Sequence, residues 1–300
     1  MSLWGMVGRA LWRDARAGEL RLLFVAVLLG VAALSAVGFL ADRIEGGLQR
    51  DARQLLGGDA VLVSDHAFSP AVLAQVSGLG VKAVTTLSFP TMARSGSVQD
   101  GNTRLVALKA VTEGYPLRGS LQILSPPGTP VSKPALVTSP DNGTVYDRPG
   151  VSTKALPQIG EVWVEPALLE AMEIKQGDEI TLGERTLRVT EVLVSEPDRG
   201  AGFMNFAPRV MMNQADLQAT RLVQPASRIN WRMAVTGTPS QVAKFVAWAQ
   251  DHVKQPDVRG MRLETLEAGR PEMRQTLDRA EKFLHLVALL AALLSAVAVA

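Results

Sequence analysis

Leu22–Ala41, LLFVAVLLGVAALSAVGFLA, decides how the rest of the chain is read. It carries no charge, and its only hydroxyl belongs to Ser35. At about 1.5 Å rise per residue the stretch makes a helix of about 30 Å, the thickness of a bilayer's hydrocarbon core. Hydrocarbon offers no partner to a backbone amide, so a single segment can cross it only as an α-helix. Gly30 and Gly38, with Ala26 and Ala33 on neighbouring faces, leave room for a second helix to approach closely. A cleaved signal peptide has a shorter apolar run, of about 7–15 residues, and a buried core helix seldom lacks charge for so long. Residues 22–41 are therefore read as a transmembrane helix.

The far end repeats the pattern. Phe283–Ala300, FLHLVALLAALLSAVAVA, is uncharged apart from a protonatable His285, and it runs to the last residue without a polar flank. It is expected to be a second span, 283–300, truncated, which makes the chain the N-terminal piece of a longer multi-pass protein. Arg9, Arg13, Arg16 and Arg21 precede the first span and set the N-terminus in the cytoplasm. Arg43, Arg50 and Arg53 follow it, but next to a large translocated domain they count for less. Residues 1–21 bring Trp4, Val7, Leu11, Trp12 and Ala15 to helical spacing beside an arginine stripe, the pattern of an interfacial amphipathic helix.

Two further stripes adjoin the spans. Leu40, Ile44, Leu48, Ala52 and Leu55 step by about four through charged sequence until Gly57-Gly58, so 42–58 is expected to be a stalk helix. Arg270-Pro271 opens a second helix, in which Met273, Leu277, Ala280 and Leu284 lead into the second span, giving a stalk at 269–282. Ile44, Leu48, Leu55, Met273 and Leu277 are the candidate stalk contacts.

About 240 residues lie between the spans, enough for one large or two small domains. With 31 basic and 29 acidic side chains the net charge is +2, and the basic residues are scattered, so nucleic acid is not an expected partner. The absence of cysteine removes disulfides, thiol catalysis and cysteine-ligated metals.

The middle region is read as α+β. Ala60–Ser64 is strand-like, Ser69-Pro70 opens a helix to about Leu79, and Val81–Phe89 and Thr103–Val111 are strand-like. Trp231–Gly237, a helix from Pro239-Ser240 and Val258–Leu263 repeat strand–helix–strand. Residues 59–111 and 229–268 are thus expected to form a split βαβ (ferredoxin-like) subdomain. Between them, residues 112–160 hold eight prolines and read as loop-rich. Beyond these come a strand at Ile159–Val164, a short helix at Pro166–Met172 and paired strands over Ile174–Val194, with turns at Gly177-Asp178 and Gly183-Glu184. Residues 112–228 are expected to be an inserted small β-rich subdomain.

Catalytic signatures are missing. There is no phosphate-binding G-x-x-x-x-G-K-[ST] and no G-x-S-x-G. His66, His252 and His285 belong to no metal-ligand cluster. The adjacent pairs Asp65-His66 and Asp251-His252 point apart on regular elements, so no proton relay is expected. The chain is read as non-catalytic and as holding no cofactor of its own. One loop stands out: Glu196–Val210 sets Phe203, Met204 and Phe206 beside Gly200 and Gly202. These three are candidates to touch a hydrophobic substrate or a partner, or else to plug the inserted subdomain.

The layout, with GGDAVLVS (57–64), GYPLRG (114–119), VWVEPALLEAMEIKQGDEITLG (162–183) and EPDRGAGFMNFAPRVMMNQADL (196–217), resembles the MacB/FtsX-type permease family of ABC transporters, in its YbbP-like branch. The resemblance covers essentially the whole chain. It implies a permease subunit in the bacterial inner membrane with a periplasmic domain that combines split-βαβ and inserted β-rich parts. It also implies a cytoplasmic ATPase partner that binds ATP and Mg on a separate chain, and a second permease copy. The expected action is mechanotransmission through the stalks, driving export or membrane extraction of lipid-like compounds, alongside a periplasmic thioesterase or lysophospholipase. Without the resemblance, a two-span sensor with its output domain missing fits the same layout.

Overall fold

The computed structural model describes residues 53–96, 101–124, 150–199, 206–224 and 227–265 without interruption, the backbone of Val137–Thr138 and Val145–Tyr146, and single helical positions between 28 and 50 and between 279 and 286. The chain divides into two compact units: residues 1–50 with 270–300, and Asp51–Gly269. In the first, every described position is helical, and Leu28, Val31, Phe39, Phe283 and Leu286 are exposed. The expected interfacial helix at 1–21 lies outside the described residues, as do most of the two expected spans. Among the described residues no helix is long and apolar enough to cross a membrane.

The second unit is built on one mixed sheet. Its strands are β1 (Ala60–Ser64), β2 (Lys82–Ser95), β3 (Thr103–Val111), β4 (Leu121–Leu124), the two-residue β5 (Val137–Thr138) and β6 (Val145–Tyr146), which pair only with each other, β7 (Gly150–Thr153), β8 (Glu161–Val164), β9 (Glu179–Leu182), β10 (Arg185–Ser195), β11 (Arg209–Asn213), β12 (Asn230–Thr236) and β13 (Met261–Thr265). The helices are α1 (Pro70–Gly78), α2 (Pro166–Met172), α3 (Leu217–Thr220) and α4 (Pro239–His252).

At one end the strand order is β13-β1-β12-β2, every neighbour antiparallel. β1-α1-β2 and β12-α4-β13 are therefore two interleaved split βαβ units. Their helix starts follow directly from sequence. The Ser69 hydroxyl accepts the Val72 amide at 3.3 Å with Pro70 behind it, and Thr238 and Gln241 form a reciprocal capping box ahead of α4. Phe68, Val72, Val76, Phe245 and Ala249 pack on Ala60, Leu62, Met233 and Val235, so both helices cover one face.

Beyond β2 the sheet closes on itself. β2 pairs β3, β3 pairs β11, β11 pairs β8, β8 pairs β10, β10 pairs β9, and β9 returns to β2 at Ala93–Ser95. The result is a six-stranded barrel, and closure leaves none of its strands as a bare edge. Its interior is apolar: Leu87, Phe89, Val106, Leu108, Val162, Ile180, Leu182, Val189, Val210 and Met212, with Leu168 and Met172 of α2 added to the same core. Trp231 packs on this core and on the helix-covered one, joining them.

β2 is longer than its apolar pattern indicates, running through Pro90 to Ser95 where the sequence suggests a stop at Phe89. β12 leaves its side after Ser88 and β9 joins only at Ala93. Pro90 thus falls where the strand has a neighbour on one side alone, the setting in which a strand tolerates a residue without an amide hydrogen.

Candidate functional site

β3 carries one charge among aliphatics, Lys109 in LVALKAV. Strand alternation turns Leu108 and Ala110 into the barrel and Lys109 out of it. Outside, Lys109 is not in solvent: it is 3% exposed, covered by the 114–119 loop and by the segment that follows β10. Its ammonium donates to the Tyr115 hydroxyl at 2.8 Å, to Glu196 Oε2 at 2.9 Å and to Asp198 Oδ1 at 2.7 Å. It also lies 4.5 Å from the centre of the Tyr115 ring. The Tyr115 hydroxyl donates to the same Asp198 oxygen at 2.5 Å. All three donor positions of the ammonium are therefore used.

The cluster extends along the barrel wall. Arg209, at the start of β11, donates through Nε to Glu196 Oε1 at 2.5 Å, so Glu196 is clamped between two cations. Arg209's backbone amide donates to Glu165 Oε2 at 2.8 Å, and Glu165 also pairs with Arg199. This explains why Glu165, at the N-cap of α2, makes no side-chain cap bond. Lys109, Arg209 and Arg199 face Glu196, Asp198 and Glu165, three cations against three carboxylates. Buried charge on this scale persists only when balanced and hydrogen-bonded.

Protonation follows the geometry. Burial pushes the Tyr115 hydroxyl well above the ordinary tyrosine range, and the Asp198 and Glu196 charges push it further. Burial also acts to raise Asp198, but the Lys109 charge and the hydrogen bonds of Lys109 and Tyr115 outweigh it, leaving this carboxyl below the usual aspartate range.

This cluster holds the entry of the chain into the sheet. Residues 53–56 are helical, Gly57 closes the turn with its amide on Gln54 O at 2.9 Å, and Asp59 N already reaches Val235 O at 2.8 Å. Each connecting residue is docked. A Cβ on Gly57 would stand 3.1 Å from Asp198 Cβ, and one on Gly58 would stand 3.0 Å from Val235 O. Asp59 accepts from Arg118 at 2.8 Å and from the Thr236 hydroxyl at 2.6 Å, with Arg53 at 3.7 Å. Burial works to raise the Asp59 pKa, yet Arg118 and Thr236 hold it below the usual range. Gly119, at φ +80, is pressed against Pro197: a Cβ there would come within 2.9 Å of the proline's own Cβ.

Three sequence stretches singled out above, GGDA, GYPLRG and EPDR, thus meet at one junction. Chemically it is a closed lock: its donors and acceptors are spent on one another. Among the described residues no group of three histidine, aspartate or glutamate side chains could hold a metal ion.

Of the candidate residues, Ile44, Leu48, Met273, Leu277, Phe203 and Met204 lie outside the described residues. Leu55 is 53% exposed in the turn before Gly57, and Phe206 is 87% exposed ahead of β11. Asp65 and His66, expected to point apart, are in contact through Oδ1 and Nδ1, because they occupy a bend after β1 and not a regular element. Both are exposed. His252 stacks on Trp248 one turn earlier in α4, ring centres 5.1 Å apart. The residues that sequence reading missed are Lys109 and Arg209. Lys109 had a signal, a lone charge inside an apolar strand.

No family model matches the chain. Over 295 residues, 98% of its length, it is 33% identical to a protein of Escherichia coli K12 named uncharacterized ABC transporter permease YbbP, and it spans 32% of that relative. Among solved structures, the periplasmic region of MacB from Actinobacillus actinomycetemcomitans matches 77% of this chain and 98% of its own at a TM-score of 0.43 and 10% identity. The extracellular domain of the noncanonic ABC-type transporter YknZ from Gram-positive bacteria matches 69% and 100% at 0.38 and 12%.

Proposed function

The chain belongs with the YbbP-like ABC transporter permeases, and on that premise we propose that it forms the first membrane span and outer domain of a non-catalytic permease subunit. The observation that carries the proposal is identity of 33% sustained over 98% of the chain. The subunit sits in the bacterial inner membrane with residues 51–269 in the periplasm. A separate cytoplasmic ATPase binds ATP and Mg, and two permease copies work together on lipid-like cargo, which is exported or lifted from the membrane.

The junction suits mechanical coupling. A flexible linker between helix and sheet would absorb displacement, whereas here only Gly57–Asp59 intervene and each is held by packing or hydrogen bonds. A push arriving through residues 53–56 is passed to β1, and through Asp198 and Pro197 to the barrel. Asp198 and Pro197 follow directly on β10, and the Lys109 lock ties them to β3.

The test uses the full-length protein containing this chain. It is expected to co-purify with an ATPase that carries a P-loop. Lengthening the connection by three glycines after Gly58 is expected to leave the complex assembled while lowering cargo-dependent ATP turnover about tenfold, a loss of about 1.4 kcal/mol of coupling. An assembled complex with unchanged turnover refutes mechanical coupling; failure to bind any ATPase refutes the permease assignment.

A further inference from the structure

Beside the junction, a cleft of about 210 Å³ opens between the two ends of the sheet, lined by Lys82, Gly114, Tyr115, Pro116, Leu117, Lys154 and Thr236. Its walls come from distant parts of the chain. Lys82 is the first residue of β2, Thr236 the last of β12, Lys154 follows β7, and 114–117 is the loop that closes over Lys109.

The lining has a definite polarity. Two ammonium groups face it, and no carboxylate does. The neighbouring Asp59 is already engaged by Arg118, Arg53 and the Thr236 hydroxyl. The Tyr115 hydroxyl is turned away into the buried cluster, which leaves its ring beside Pro116 and Leu117 as an apolar wall. Among the described residues neither Lys82 nor Lys154 makes an ion pair or a side-chain hydrogen bond. Elsewhere in this unit, clustered cations are matched: Arg118 and Arg53 with Asp59, Arg232 and Arg262 with Glu264, and Lys109 and Arg209 with Glu196. Two unmatched lysines on one concave surface depart from that pattern.

Gly114 keeps the first of them clear. A Cβ at this position would lie 3.7 Å from Lys82 Cε and 3.8 Å from Nζ, and would fill the space beside the ammonium. The loop thus combines a small residue at the charge with apolar residues deeper along the wall. Two fixed-sign charges over an apolar floor attract a compact anion with a short hydrocarbon part. The ammoniums supply charge and hydrogen bonds, and the Pro116–Leu117 wall supplies contact area.

We propose that this cleft binds a small amphiphilic oxyanion, a carboxylate or a phosphate monoester with a short apolar group, with Lys82 and Lys154 as its cationic ligands. The site is independent of the transport reading, since it requires only the fold of residues 51–269.

The full chain in detergent is titrated by calorimetry with hexanoate, hexyl phosphate, inorganic phosphate and, as the uncharged control, hexanol. Hexanoate or hexyl phosphate is expected to bind, weakening as salt is raised, and Lys82→Gln with Lys154→Gln is expected to weaken binding by about a hundredfold, about tenfold per lost charge contact. Both lysines are exposed, so the variant keeps its fold; an unchanged thermal midpoint verifies this. Preference for hexyl phosphate over inorganic phosphate identifies an amphiphile, and the reverse preference refutes the apolar floor. Equal binding of hexanol, unchanged affinity in the double variant, or no binding of any anion to about 10 mM overturns the proposal.

Discussion

Replacing Lys109 with methionine preserves the length of the side chain and removes its charge. In the native protein the ammonium has 3% exposure and contacts Tyr115, Glu196 and Asp198 at 2.7–2.9 Å. Glu196 retains Arg209 in the variant, through its other oxygen at 2.5 Å. Asp198 keeps only the Tyr115 hydroxyl among the hydrogen-bond partners described above. Breaking a buried ion pair from one side costs about 3–5 kcal/mol, because the partner charge stays behind. For a unit of this size each kcal/mol moves the thermal midpoint by about 2–4 °C, so Lys109→Met is expected to lower it by about 10 °C. The cost has a pH signature. With Lys109 present Asp198 titrates below its usual range; without it, burial is unopposed and the folded-state pKa rises. A raised folded pKa contributes stability at low pH and loses it as pH rises, so the variant's deficit is expected to be smaller near pH 5 than at pH 8. Adding Asp198→Asn is expected to recover part of the loss at pH 8. The assay is circular dichroism melting of the full chain at both pH values. A Lys109→Met midpoint within about 2 °C of the parent, or a deficit that does not depend on pH, refutes the view of this cluster as a charge-balanced lock.

Two further outcomes follow from the same junction. Tyr115 is held neutral by burial and by Asp198 and Glu196, so its folded-state pKa is raised; its contribution is present below about pH 10 and lost as pH climbs toward the folded value. The difference spectrum between the parent and Tyr115→Phe is expected to show no tyrosinate band at pH 10.5 while the protein remains folded, and a band there contradicts the buried hydroxyl. Gly119→Ala sets a Cβ against Pro197 at a residue with φ +80, and is expected to cost about 1–3 kcal/mol in urea unfolding, whereas Gly78→Ala, with nothing within 4 Å, is expected to be neutral or stabilising.

The local punctuation of the fold was legible. Ser69-Pro70 and Thr238-Pro239 start helices where capping chemistry says they should, and AVLVS at 60–64 is a strand buried on both faces, as an unbroken apolar run implies. Closure of the barrel was not legible. It depends on β9 reaching Ala93–Ser95, and Pro90 in the middle of β2 argued for a strand end that a one-sided neighbourhood made unnecessary. The junction was half legible. GYPLRG and EPDR stood out as texture, but their meeting depends on Lys109 and Arg209, which sit on strands more than a hundred residues apart in register with one another. Single-sequence periodicity carries no information about such pairings, because they arise from tertiary approach and not from local pattern.

The connectivity also dictates an order of assembly. All six barrel strands lie within residues 82–213, a contiguous stretch that can close as soon as it has emerged. β1, by contrast, hydrogen-bonds only to β12 and β13, whose residues arrive some 170 and 200 positions later (Ala60 with Val235 and Thr265). During synthesis its apolar run must wait without a partner, and such late, long-range pairing is slow. A nascent chain halted near residue 220 would hold a finished cylinder beside an orphaned greasy strand, the natural docking point for a chaperone.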